Sequence, residues 1–240
     1  MRWAIMAAFV LCFGEAHALV ADLSTDTITI RSDFTGEKIL LFGAIDRDDA
    51  SDVVIVIRGP DADVTVRRKE YLNGIWINRR ALTLTGLPAF YAAASARPLA
   101  EIASQADHKA LEIGAAHLRY GVRNGTDTDR EFFNGFLRSK IRAGLYGEDP
   151  NAVAIIGQRL FRAEITLPPG VPVGDYGIDF YLFRDGGIVA QHTQHLRVDV
   201  SGVEHLVRRG AHEQPLLYGL GGVLLAGLMG WGGATLFRRV

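Results

Sequence analysis

Three observations predict the fold class. Runs rich in β-branched residues, alternating apolar and polar, lie at both ends of the body. A block of helical period separates them, and a charge-free stretch of 22 residues precedes the C-terminus. Together they predict a mainly β protein: an immunoglobulin-like β-sandwich with a helical insertion, plus one C-terminal transmembrane helix. The composition agrees with an ordered chain. Among 240 residues, 26 Lys+Arg stand against 27 Asp+Glu, so the basic surplus of a nucleic-acid binder is absent.

The N-terminus carries a three-part secretory pattern: Arg2, the apolar run Trp3 to Phe13, and the small-x-small site Ala16-His17-Ala18. Residues 1–18 are therefore expected to be a signal peptide, cut after Ala18 or, as second choice, after Ala21. Cys12 is the only cysteine and lies inside that segment. Leu11 before it is too large for a lipid-attachment signal. The remaining chain holds no cysteine and can form no disulfide.

Residues 19–200 are expected to form the periplasmic body. Thr27 to Arg31 alternates, whereas Glu37 to Ile45 and Asp52 to Arg58 are apolar on both faces, as central strands can be. Asp33-Phe34-Thr35-Gly36 reads as a turn, and Gly59-Pro60-Asp61 leads to Val64-Thr65-Val66. Asn73 to Asn78 reads as a short strand and Leu82 to Tyr91 as extended chain broken at Pro88. About residues 92–152 the period changes to helical. Leu99, Ile102 and Ala103 suggest one short helix, and Asp107 is expected to cap a second carrying Leu111, Ala115 and Leu118. Thr128-x-x-Glu131 is a capping box for a third, with Phe133, Leu137, Ile141 and Leu145 as its stripe, Phe136 beside them and Gly147 as its stop. Strand period returns at Phe161 to Leu167, Val173 to Phe183 and Ile188 to Val200, the last two joined by Arg184-Asp185-Gly186-Gly187. This series reads as the last three strands of the sandwich, with Tyr176 as the corner tyrosine whose hydroxyl bonds back to the preceding loop.

Residues 201–214 read as a juxtamembrane linker and 215–237 as the transmembrane helix, about 33 Å for the charge-free part against a hydrocarbon core of about 30 Å. Residues 238–240, with Arg238 and Arg239, would be the cytoplasmic tail. The expected location is the inner (cytoplasmic) membrane, single-pass, body in the periplasm. Gly222, Ala226, Gly230 and Ala234 recur every four residues and are expected to form a helix-packing ridge for a homodimer or a protein partner; glycine's general frequency in membrane helices is the competing explanation.

The segments FTGEKILLFGAI, VVIVIRGP, GIWIN and PAFYAAASARPLAEI, between a signal peptide and a single C-terminal span, resemble an alphaproteobacterial family of transmembrane proteins of unknown function. The resemblance covers nearly the whole chain after the signal. It implies a gene lying near those of sulfite-exporter-type permeases and supplies no catalytic residue.

Chemistry is sparse along the chain. His192 and His195 would face opposite sides of a strand; His108 with His117 and His205 with His212 lack a third ligand, so no metal and no cofactor is expected. Asp46, Asp48, Asp49 and Asp52 lack calcium-loop spacing, and Arg67-Arg68-Lys69 reads as a blunted sheet edge. No nucleophile elbow, phosphate loop or dinucleotide pattern occurs. The expected function is a non-enzymatic binding or accessory module for a membrane partner such as a transporter. The alternative is a periplasmic small-ligand binder or sensor, its pocket between sandwich and insertion.

Overall fold

In a computed structural model of the chain, the described residues are 19–31, 33–46, 51–72, 74–124, 130–157, 159–200, 219, 223 and 226–231. In chain order the strands are β1 (Leu19–Leu23), β2 (Thr27–Ile30), β3 (Glu37–Ile45), β4 (Ser51–Arg58), β5 (Asp61–Leu72), β6 (Ile75–Pro88), β7 (Tyr91–Ser95), β8 (Gly121–Arg123), β9 (Tyr146–Pro150), β10 (Val153–Ile156), β11 (Leu160–Leu167), β12 (Gly174–Arg184) and β13 (Gly187–Val200). Helices α1 (Leu99–Ile102) and α2 (Gln105–Leu111) and a 3-10 turn at Ala115–His117 follow β7. Helix α3 (Arg130–Arg142) precedes β9.

Three sheets form. An antiparallel sheet runs β1-β3-β11-β10, a six-stranded one runs β2-β13-β12-β4-β7-β9, and a smaller one runs β5-β6-β8. The six-stranded sheet is mixed, because β2 joins β13 and β9 joins β7 in parallel. It is also the middle layer. Val53, Ile55 and Ile57 of β4, with Ile178, Phe180 and Leu182 of β12, enter one core against Ile39, Leu41, Phe161 and Leu167 of the four-stranded sheet. Val54 and Val56, with Tyr181 and Phe183, enter a second core with Leu82, Leu84, Ile113 and the phenylalanines of α3. Successive strand residues face opposite sides, so β4 must be apolar at every position to serve both cores. Each such side chain contributes about 1.5–3 kcal/mol on burial.

The expected fold class is corrected. In place of an immunoglobulin-like sandwich with a helical insertion and a transmembrane helix stands a mixed β-sheet fold with a half-barrel and several helices. Periodicity showed β4 to be apolar on both faces but not what would cover the second one. That cover is the β5–β6 hairpin with the helices. The segments read separately as Asn73–Asn78 and Leu82–Tyr91 are largely one strand, β6, paired with β5 from Asp61↔Pro88 to Leu72↔Ile75. The helical block also holds β7, β8 and β9.

Local starts and stops differ from expectation for identifiable reasons. Ser104 caps α2, its hydroxyl accepting from the Asp107 amide at 3.2 Å, so Asp107 lies inside the first turn. Helix α3 ends at Arg142, where Gly144 takes φ +70°, and Gly147 belongs to β9. Its buried residues are Phe132, Phe133 and Phe136, while Ile141 is 57% exposed. Thr128 lies outside the described residues, as do residues 1–18 and 201–214 and the tail 238–240.

The membrane expectation is corrected as well. Among the described residues no helix is long and apolar enough to cross a membrane. Of 215–237, only 219, 223 and 226–231 are described, each of them helical. Of the expected packing ridge, Ala226 and Gly230 fall on the run 226–231 and are exposed; Gly222 and Ala234 lie outside the described residues. A Cβ placed on Gly230 would meet nothing within 4 Å. Placement in the inner membrane, and a partner or homodimer contact through the span, lose their structural basis with it.

Candidate functional site

Histidines and carboxylates gather where the edge of the middle sheet meets the short helices. Strand β4 pairs with β7, and β7 with β9 in parallel, Tyr91 opposite Tyr146 and Ala93 opposite Glu148. A parallel partner requires a long crossover. That crossover, from Ala96 to Leu145, carries α1, α2, the 3-10 turn, β8 and α3, and it folds back over the sheet edge. Between them lies a cleft of about 310 Å³. Ala93, Pro98, Leu99, Ala100 and Ile113 give it an apolar wall, and Gln105, His108, His117, Glu148 and Asp149 supply polar groups.

His108, on α2, is 3% exposed. Its Nε2 is closed to solvent and has no hydrogen-bond partner among the described residues. Burial, then the neighbouring His117, hold its pKa below the ordinary value of 6.5, against a weaker opposing hydrogen bond to the Leu99 backbone. The ring of His117 lies 5.5 Å from that of His108. His117 Nδ1 donates to the Ile113 carbonyl at 2.9 Å, and its Nε2 lies 3.3 Å from Gln105 Oε1. Nine positions apart in sequence, the two histidines meet because Glu112 takes a left-handed conformation, φ 55°, and turns the chain back after α2.

The turn beyond them is bolted to the sheet. The Tyr91 hydroxyl accepts from the Gly114 amide at 2.7 Å and donates to the Glu112 carbonyl at 3.1 Å. Burial pushes the Tyr91 pKa well up, so this hydroxyl stays protonated and can do both. Arg58 pairs with Asp179 and also donates to the Leu111 carbonyl at 2.6 Å. From β9, Glu148 Oε1 accepts from the Ala115 amide at 2.7 Å. A Cβ on Gly114, whose φ is +91°, would lie 3.1 Å from His117 Nδ1, so that position suits glycine.

Across the 3-10 turn lies a second cleft of about 460 Å³, sharing Ala116 and His117. Its charged lining is basic: Lys109, Arg119 and Arg130. Arg119 is paired with Glu112. The two clefts thus differ in sign.

Of the residues singled out in the sequence, His108 and His117 meet here and the others described lie elsewhere. Tyr176 is fully buried on β12, and its hydroxyl donates to the Pro172 carbonyl. His192 and His195 lie on β13, and Asp52 pairs with Arg97 at 2.6 Å. Among the described residues no group of three His, Asp or Glu side chains is placed to hold a metal ion. The sequence offered His108 and His117 only as a pair lacking a third metal ligand; that their rings meet was not legible, because spacing along the chain cannot register a left-handed turn.

The fold is a mixed β-sheet architecture with a half-barrel and several helices, and its cleft has an apolar wall beside the buried His108 ring. The chain belongs to the family described as "Putative transmembrane protein (Alph_Pro_TM)", whose model matches residues 18–239. The single-span arrangement expected with that family is not seen among the described residues. No curated protein and no solved structure matches the chain.

Proposed function

We propose that this protein is a small-ligand binder or sensor whose site is the cleft between the β7–β9 edge and the α1–α2 segment, and that it binds without turnover. The observation that carries this reading is the cleft itself: an apolar wall of Ala93, Pro98, Leu99, Ala100 and Ile113 beside the polar groups of Gln105, His108, His117, Glu148 and Asp149. The cleft's size suits a small molecule, and apolar walls with a few convergent polar groups are what such sites present.

A panel of small metabolites screened by thermal shift tests the reading. A ligand of this cleft should raise the melting temperature of the wild type and not of Ala100→Trp. Ala100 is exposed on α1 and lines the cleft, so the indole would fill the space without disturbing either core. A panel whose hits bind both proteins equally would place binding elsewhere and end this assignment.

A further inference from the structure

Strands β3 and β4 are both apolar on two faces; among the described residues, β4 has both faces covered and β3 has one. Ile39, Leu41 and Ile45 of β3 enter the first core. Leu40, Phe42 and Ala44 point the other way, off the four-stranded sheet. Phe42 is 41% exposed, and Ala44 is exposed beside it. The registers carry this surface across the sheet. Val20 lies opposite Ala44, Ala44 opposite Leu160, and Leu160 opposite Ile156, one apolar row over all four strands. Val20, Leu160 and Ile156 are 53%, 54% and 46% exposed. Single exposed apolar side chains are ordinary, whereas a continuous apolar patch on an outer face marks a contact surface.

The adjoining row defines what covers it. That row reads Asp22, Phe42, Arg162, on β1, β3 and β11. The acid and the base stand on either side of Phe42, two strand spacings or about 10 Å apart, too far to pair with each other. Asp22 Oδ1 accepts from the adjacent Leu23 amide at 2.8 Å. An anionic surface would answer Arg162 and be repelled by Asp22. A cationic one would do the reverse. The same face turned over answers both. A two-fold axis along β3, between two facing sheets, exchanges the two sides of the strand. It sets Asp22 of each copy over Arg162 of the other, Phe42 over Phe42, and Val20 over Leu160. We propose that the outer face of the β1-β3-β11-β10 sheet is an interface with a second copy of this chain, stacked about 10 Å away on that axis. Twisted sheets stack within about 30° of alignment, which keeps the rows nearest the axis in register.

The test follows the full chain by sedimentation velocity over a concentration series. Wild type should pass from monomer to dimer as concentration rises. Phe42→Lys sets two ammonium groups against each other at the axis and should stay monomeric. Arg162→Asp sets carboxylate against carboxylate twice and should weaken the dimer about tenfold or more. Adding Asp22→Arg to it restores both pairs with their sense reversed and should recover the wild-type affinity, which a merely destabilised variant would not. In a Cys12→Ser background, Ala44→Cys should cross-link to its own copy through a short bismaleimide. Tyr71→Cys, exposed on the β5–β6 hairpin, should not. A wild type that stays monomeric at every concentration overturns the proposal. So does a dimer indifferent to Phe42→Lys, a double variant no tighter than Arg162→Asp alone, or cross-linking as strong from position 71 as from position 44.

Discussion

Tyr176 and His108 are both buried polar side chains, and only one of them is satisfied. The Tyr176 hydroxyl ties the start of β12 to the Pro172 carbonyl, and burial pushes its pKa up, so it remains a donor throughout ordinary pH. Tyr176→Phe leaves that carbonyl without its partner and should cost about 1–3 kcal/mol, read from urea unfolding of wild type and variant. Unchanged unfolding would mean the bond contributes nothing. His108 makes stability depend on pH. Its folded pKa lies below 6.5, so between the two values the unfolded chain binds more protons than the folded one. The contribution is fully present above about pH 6.5 and is lost as pH falls toward the depressed folded value. His108→Phe should remove that dependence. If unfolding at pH 7.5 and pH 5 shifts as much in the variant as in the wild type, other groups carry it.

Between elements, β1 approaches β3 closely at Gly43. Ala21 stands opposite Gly43, and a Cβ on Gly43 would lie 2.3 Å from the Val20 carbonyl oxygen and 2.6 Å from the Phe161 ring. Neither neighbour can yield cheaply, since one is backbone and the other is a core ring. Gly43→Ala should therefore destabilise by about 1–3 kcal/mol or more and loosen β1 selectively. Amide exchange at Leu19–Leu23 rising ahead of β3 would show this; uniform exchange would refute it. The turn over the cleft depends on Tyr91 in a similar way. Tyr91→Phe leaves the Gly114 amide without its acceptor, at a cost of about 1–3 kcal/mol. It should also weaken any ligand of the cleft, because the Glu112–Gly114 segment that positions His117 loses its tie to the sheet. Ligand affinity equal to wild type would show that the segment is held by Arg58 and Glu148 alone.

At the scale of the molecule, the middle sheet is shared by two cores, so it should be the last part to open. Val53 to Ile57 of β4 are at most 1% exposed, and β4 is flanked by β12 and β7. Native-state hydrogen exchange should find the β4 and β12 amides the slowest, close to global unfolding, and the far end of the β5–β6 hairpin the fastest. There Tyr71 and Ile75 are 62% and 63% exposed. Faster exchange in β4 than in β3 would mean that the two cores do not unfold as one.

Sequence alone determined the positions of most strands, the doubly apolar nature of β4, the tight turn at Asp185-Gly186 and the absence of cysteine from residue 19 onward. Those properties are local: period and turn chemistry are written within ten residues or so and need no partner. It also marked 216–237 as charge-free, but composition is not a crossing, and no described helix has the length and apolarity to make one. Only the tertiary structure decided that a third sheet covers the middle one, that His108 meets His117, and that Glu148 reaches the Ala115 amide. The cleft draws its walls from β7, α1, α2, the 3-10 turn and β9, segments joined by a parallel pairing of Tyr91 with Tyr146 across the whole crossover. A period reports which face of one segment is apolar; it carries no record of which distant segment will lie against that face, because that choice is made by packing.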